Sequence, residues 1–195
     1  LRTTYNRNCQ LQQNPISMDG NIFKKEWFRF WKEPHAPECH YVIQSWDTAL
    51  STSDTACDSA CTTWGIFTAP EGRKAIILLN SWTGKLSHPD LRRFVIQNSQ
   101  NYLTSSAEAP PTKGPKPDLI IIESAANGKA LIDDLRKADI PLMAFNPKYH
   151  GLKTETGEKA TGKVGRAHLV SALVENGLVW LPMRGPEYVL SLIHI

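Results

Sequence analysis

The chain has 195 residues, 41% of them hydrophobic and 21% charged, with a formal net charge of +3. That suits one sizeable soluble α/β domain with a short appendage, and no apolar run is long enough to span a membrane. The small positive charge permits an acidic partner such as nucleic acid without demanding one.

Residues 1–37 read as a lead-in. They open on the polar "LRTTYNRNCQ", which lacks both an initial Met and a signal-peptide core, as a fragment of a longer protein would. Phe23, Trp27, Phe28, Phe30 and Trp31 follow, interleaved with basic residues and closed by Pro34 and Pro37. These aromatics are expected to pack on a neighbour, with a stacking platform for nucleic acid as the alternative. "HYVIQSWDTA" then reads as a strand, "LSTSDTACDS" as a flexible link, and "ACTTWGIFTA" as a second strand. "PEGRK" makes a turn into a third strand, "AIILLNSW". Three strands on short polar links predict an antiparallel meander.

Pro89 and Asp90 suit a helix start, and Leu91, Phe94, Val95 and Leu103 recur at roughly helical spacing. "TSSAEAPPTKGPKP" reads as a Pro-rich surface loop. "DLIIIES" is a continuous apolar run, as in a strand covered on both faces. "ANGKALIDDLRKA" is a helix, "IPLMAFNP" a short strand and "KYHGLKTETGEKATGK" a loop. "GRAHLVSALVEN" is a helix stopped by Asn176 and Gly177, and "LVWLP" is a last edge strand ended by Pro182.

Two of the buried strands end on an acid. Asp47 follows Trp46, and Glu123 follows Ile120, Ile121 and Ile122. If these strands are parallel neighbours, both carboxylates leave the sheet at one rim, where α/β sheets place ligand sites. Close carboxylates repel, and burying either without a partner is costly. Magnesium or manganese, hard cations that take oxygen ligands, would relieve both costs. A pair of such ions about 4 Å apart can activate water and stabilise the leaving oxygen of a phosphodiester. The competing reading of each acid alone is a helix cap or a solvated turn. Cys9, Cys39, Cys57 and Cys61 fit a reducing compartment. With His40 they have poor spacing for zinc and fall on different predicted elements.

The motifs in this order resemble the C-terminal nuclease domain of the large terminase subunit of tailed bacteriophages. "QNPISMDGNIFKKEW" is similar to the segment joining the packaging ATPase to the nuclease. "SWDTA" resembles the first catalytic strand, and "IIIESAANGKALIDDLR" the strand and helix carrying the second acid. "TGKVGRAHLVSALVENGLVWLP" resembles the later Lys–x–x–Arg helix and the strand ending in Pro. The resemblance covers nearly the whole chain. It implies a ribonuclease H-like α/β fold with a mixed sheet, antiparallel in its first three strands and parallel afterwards, and helices on both faces. It implies a linker over residues 1–37 and a nuclease domain over 38–195, shortened at its C-terminus.

Asp47 and Glu123 are then implied as catalytic metal ligands for Mg2+ or Mn2+, with two ions in the complete site. Asp58 resembles an acid at the start of the second strand and is a further candidate ligand, as to a lesser degree is Asp54. Lys163 and Arg166, three apart at a helix start, face one side and could hold DNA phosphates or neutralise charge. The family's third acid has no counterpart in "MRGPEYVLSLIHI", where Glu187 is the only acid. It is expected beyond Ile195, which leaves the site incomplete, and the tail "LSLIHI" fits the pattern poorly.

"GEKATGKV" approaches a phosphate loop, but Val164 stands where a magnesium-binding hydroxyl belongs, so no ATP site is expected here. The function so implied is a metal-dependent endonuclease acting on concatemeric double-stranded viral DNA in the host cytoplasm. Its partners would be an upstream ATPase domain, a portal protein and the small terminase subunit, with no membrane. The alternatives are a DNA- or portal-binding module that does not cut, and another ribonuclease H-like nuclease such as a resolvase or transposase core.

Overall fold

The structure is a computed structural model and describes residues 22–33, 35–49, 58–100, 103–106, 109–124, 126–146 and 162–183. A 3-10 turn at Lys25–Trp27 leads into β1 (Arg29–Trp31), β2 (Cys39–Asp47), β3 (Ser59–Thr68) and β4 (Lys74–Gly84). Next come α1 (His88–Gln100), β5 (Leu103–Ser106), β6 (Ala109–Lys113) and β7 (Leu119–Glu123). The described chain ends with α2 (Ala126–Leu135), β8 (Leu142–Phe145), α3 (Gly162–Glu175) and β9 (Val179–Pro182).

Seven strands form one mixed sheet in the order β1-β9-β4-β3-β2-β7-β8. β2, β3 and β4 are the expected antiparallel meander. β7 lies parallel to β2, β8 parallel to β7, and β9 parallel to β4. Parallel neighbours need long crossovers, which the helices supply. The β4-α1-β7 and β7-α2-β8 connections advance across the sheet in one direction, and β8-α3-β9 returns. Because such crossovers are right-handed, α1 and α2 belong on one face and α3 on the other.

The inward face under α1 and α2 follows from alternation along the strands. Trp46 and Cys61 from the meander, and Ile120 and Ile122 from β7, meet Leu91 and Val95 of α1 and Leu131, Ile132 and Leu135 of α2. A second cluster, Val42, Phe67, Ala75, Ile77, Leu79 and Trp180, fills the other end of that face. Between them runs a buried polar row: Gln44 pairs with Thr63, and Thr63 with Asn80. The Gln44 side-chain amide donates to the Asn98 carbonyl at the end of α1, 3.4 Å away. Leu78, Val179 and Leu181 are buried although alternation points them to the opposite face.

Three expectations need correction. The last strand is not at the edge, because β1 pairs with it in parallel, Trp31 opposite Pro182. The three residues "RFW", one of them charged, lie within the lead-in and are too few to carry a strand period. Its Trp31 ring stands 5.8 Å from that of Phe67 and 6.0 Å from that of Trp180. The Pro-rich stretch is a two-stranded hairpin, β5 with β6. Pro110 and Pro111 are tolerated there because each strand of an isolated pair is an edge, where a missing N–H breaks few ladder bonds. Leu103 therefore starts β5 and is not part of the helical stripe, since α1 ends at Gln100.

Ser87, just ahead of the expected start at Pro89 and Asp90, is the N-cap of α1. Its hydroxyl accepts from the Asp90 N–H at 3.4 Å, the N-cap bond, and donates to the Asp90 carboxylate. The far end of α3 closes as expected on Gly177, whose φ of +67° suits a left-handed cap. Its N–H donates to Val174 O (2.9 Å) and that of Leu178 to Leu173 O (3.0 Å).

His88, at the first turn of α1, is 2.8 Å from the Asp134 carboxylate and ties α1 to α2. That hydrogen bond, with the charges of His88, Arg92 and Lys137, holds the Asp134 pKa below its ordinary value. The Ser87 hydrogen bond, then Arg93, does the same for Asp90. A carboxyl group with a depressed folded-state pKa adds stability above its unfolded pKa of about 3.9 and loses it as pH falls through the folded value. The melting temperature is therefore expected to fall on acidification below about pH 4. Asp134→Asn should flatten that decline, and differential scanning fluorimetry across the range checks it.

Candidate metal centre

Asp47 ends β2 and Glu123 ends β7. The parallel register between these strands runs from Ile43 opposite Leu119 to Trp46 opposite Ile122. Asp47 and Glu123 are the next residue on each strand, so they reach the same level at the same rim. Trp46 and Ile122 point into the α1/α2 core, and alternation sends the two acids to the other face, the one that a right-handed β8-α3-β9 crossover assigns to α3. Asp47 is exposed and Glu123 half-buried. Neither acid takes part in the ion pairs His88–Asp134, Arg93–Asp90 and Arg136–Asp133.

The backbone around both acids is fixed. Beyond Asp47, the Ser59 hydroxyl accepts from Ala49 N–H (3.0 Å) and donates to Ala49 O (3.2 Å). Beyond Glu123, the Ser124 N–H donates to Phe145 O at 2.7 Å. At the other end of the pair, Asp118 N–H donates to Val42 O (2.8 Å) and Val42 N–H donates to the Asp118 carboxylate (2.7 Å). That clamp sets the register that brings Asp47 and Glu123 level. Ser59 and Asp118 are not among the residues that the sequence motifs mark. Their signal was a polar residue immediately before an apolar strand, in "CDSAC" and "KPDLI".

The other predicted residues are placed as follows. Asp58 is exposed and immediately precedes β3, on the side of the meander where Asp47 lies. No three His, Cys, Asp or Glu side chains among the described residues come together as a metal-binding group. Lys163 and Arg166 stand in the first turns of α3, with Arg166 half-buried. Asp54, Cys57, Glu187 and most of the phosphate-loop-like run lie outside the described residues.

Cys39 pairs opposite Phe67 and Cys61 opposite Trp46, at opposite ends of the β2–β3 ladder, which separates them as zinc ligands. Burial pushes the Cys61 thiol pKa far up. A shallow depression lined by Lys116, Asp118 and Asp139 lies at the opposite ends of β7 and β8 from the acids.

The sheet order, the strand directions and the helical crossovers define a ribonuclease H-like α/β fold. No family model and no curated protein matches the chain. Among solved structures, the large terminase of a thermophilic bacteriophage, determined in complex with ADP, is similar with a TM-score of 0.54. The identity is 10%, over 89% of this chain and 36% of that one, so the likeness is one of fold and the chain spans about a third of that protein.

Proposed function

We propose that the chain is the metal-dependent DNA endonuclease domain of a viral DNA-packaging terminase large subunit. The observation that carries this reading is the level placement of Asp47 and Glu123 at the ends of neighbouring parallel strands. The donor set fits a hard divalent cation: oxygen ligands only, on rigid strands, with neither acid in the ion pairs named above. The fold likeness to a phage large terminase agrees with the motif order.

Bound Mg2+ or Mn2+ would activate water and neutralise charge at a phosphodiester. Asp47 and Glu123 would hold and orient it. Lys163 and Arg166, on the helix assigned to the same face, would fix the DNA backbone through its phosphates. Asp58 would support the site from the neighbouring strand, and the third acid would come from beyond Ile195. No base-reading helix is evident among the described residues, so weak sequence preference is expected. Under this reading the partners are double-stranded DNA, an upstream ATPase domain, the portal protein and the small subunit, in the host cytoplasm. No helix among the described residues is long and apolar enough to cross a membrane. The ADP belongs to the solved terminase; Val164 argues against a nucleotide site in this chain.

A second reading, a module that grips DNA or the portal without cutting, is favoured by the lack of a third ligand among the described residues. Supercoiled plasmid incubated with Mn2+ and either this chain or a C-terminally extended version separates the two. Nicking that EDTA stops supports the nuclease. DNA retardation without nicking by the extended version supports the non-catalytic module. Selective cutting of branched junctions would point to a resolvase.

A further inference from the structure

We infer that Gly128 is a positioning residue for Glu123, an inference that rests on the metal-site reading above. Gly128 is buried in the first turns of α2, five residues beyond the acid. A β-carbon at that position would stand 1.9 Å from the Glu123 carbonyl oxygen and 3.1 Å from its carbonyl carbon. It would also lie 3.4 Å from Ile122 Cγ2. The first contact is far inside van der Waals range and is with backbone, so no rotamer change relieves it. The bare Cα thus lets α2 close directly on the peptide that carries the Glu123 side chain.

That peptide is held on three sides. Glu123 pairs with Phe145 of β8, and the next N–H, of Ser124, bonds to Phe145 O. Ile122 pairs with Trp46 of β2 and is fully buried. Gly128 supplies the remaining wall. A half-buried carboxylate at a strand end has little else to fix its direction, and a metal ligand must be held to a fraction of an ångström. Any added side-chain atom at 128 must push α2 outward or turn the Glu123 peptide, and either change moves the carboxylate relative to Asp47.

Gly→Ala inside a helix ordinarily stabilises it, because glycine has the larger backbone entropy to lose. Here the sign is reversed. Gly128→Ala is expected to lower the melting temperature and to raise the Mn2+ concentration for half-saturation at least about tenfold, the scale of effects on a metal ligand's supports. Binding is read from water proton relaxation, with no need of cleavage. Ala130→Gly, on the exposed side of the same helix, is the control. It should lower the melting temperature and leave the Mn2+ titration where it was.

A folded Gly128→Ala protein with an unchanged titration overturns the inference. Should that variant lose its helical circular dichroism, Ser124→Gly decides. It frees the link between strand and helix without adding an atom, and it should weaken Mn2+ binding about tenfold; an unchanged titration there is equally fatal. If the unaltered chain shows no saturable Mn2+ binding, the metal-site reading fails and takes this inference with it. That pattern is distinct from binding that is indifferent to position 128.

Discussion

Asp47→Ala and Glu123→Gln, made singly, should each reduce Mn2+-supported DNA cleavage by more than about 100-fold, beyond the 10- to 100-fold typical of residues that only support a ligand. The same changes should leave the metal-free protein at least as stable as before. Asp47 is exposed, and neither acid is in the ion pairs named above, so few native contacts are lost. Removing one of two like charges at a shared rim relieves repulsion. The contrast appears on adding metal. Mn2+ should raise the melting temperature of the unaltered chain by mass action, and of neither variant. Thermal melts with and without Mn2+, beside the plasmid assay, check both halves. An Asp47→Ala protein that cuts as well as the original would remove that residue from the chemistry.

The largest stability effect is expected one residue earlier. Trp46 is 1% exposed at the centre of the α1/α2 core. Its ring lies 6.0 Å from both Trp82 and Phe94, edge-on to the latter at 88°. Its indole N–H reaches Gln44 Oε1 at 3.4 Å, a weak bond inside the polar row. Trp46→Ala removes the largest side chain there, strands part of that row and leaves a cavity. A loss of about 3–5 kcal/mol is expected, a large share of the ~5–15 kcal/mol that holds a typical domain together. Trp46→Phe keeps the edge-to-face packing and should cost much less. Urea unfolding of the three proteins gives the comparison. A loss below about 1 kcal/mol for the alanine variant would show that the cluster collapses to fill the space.

The meander and the βαβ segment were legible because hydrophobic period and turn chemistry agreed with the tertiary packing. "YVIQSW" alternates in β2, and "LIII" is the unbroken run of a strand with a neighbour on each side. β1 was not legible, because three residues carry no period and Trp31 becomes a strand residue only once β9 is beside it. The hairpin was hidden by its prolines, whose cost depends on whether a strand is central or at an edge. Buried β9 looked like an edge for the mirror-image reason: Pro182 ends it, and its outer neighbour comes from far back in the chain.

The acids were visible in sequence as polar ends to apolar strands, and their common level follows from a parallel pairing that topology makes natural. What fixes that level is less visible. The Asp118 clamp on Val42 and the close approach of α2 at Gly128 are contacts between segments, and neither residue type announces them locally. Lys163 and Arg166 could be assigned a shared side of a helix from spacing alone. The face of the sheet that their helix covers depends on the hand of a crossover.

The central claim is that Asp47 and Glu123 share a divalent cation. A crystal of the protein soaked in Mn2+, measured at the manganese absorption edge, addresses it directly. One anomalous peak touching a carboxylate oxygen of each residue, at about 2 Å, is the predicted result. Manganese bound elsewhere with this rim empty, or the two carboxylates directed away from one another in the metal-soaked protein, would contradict it.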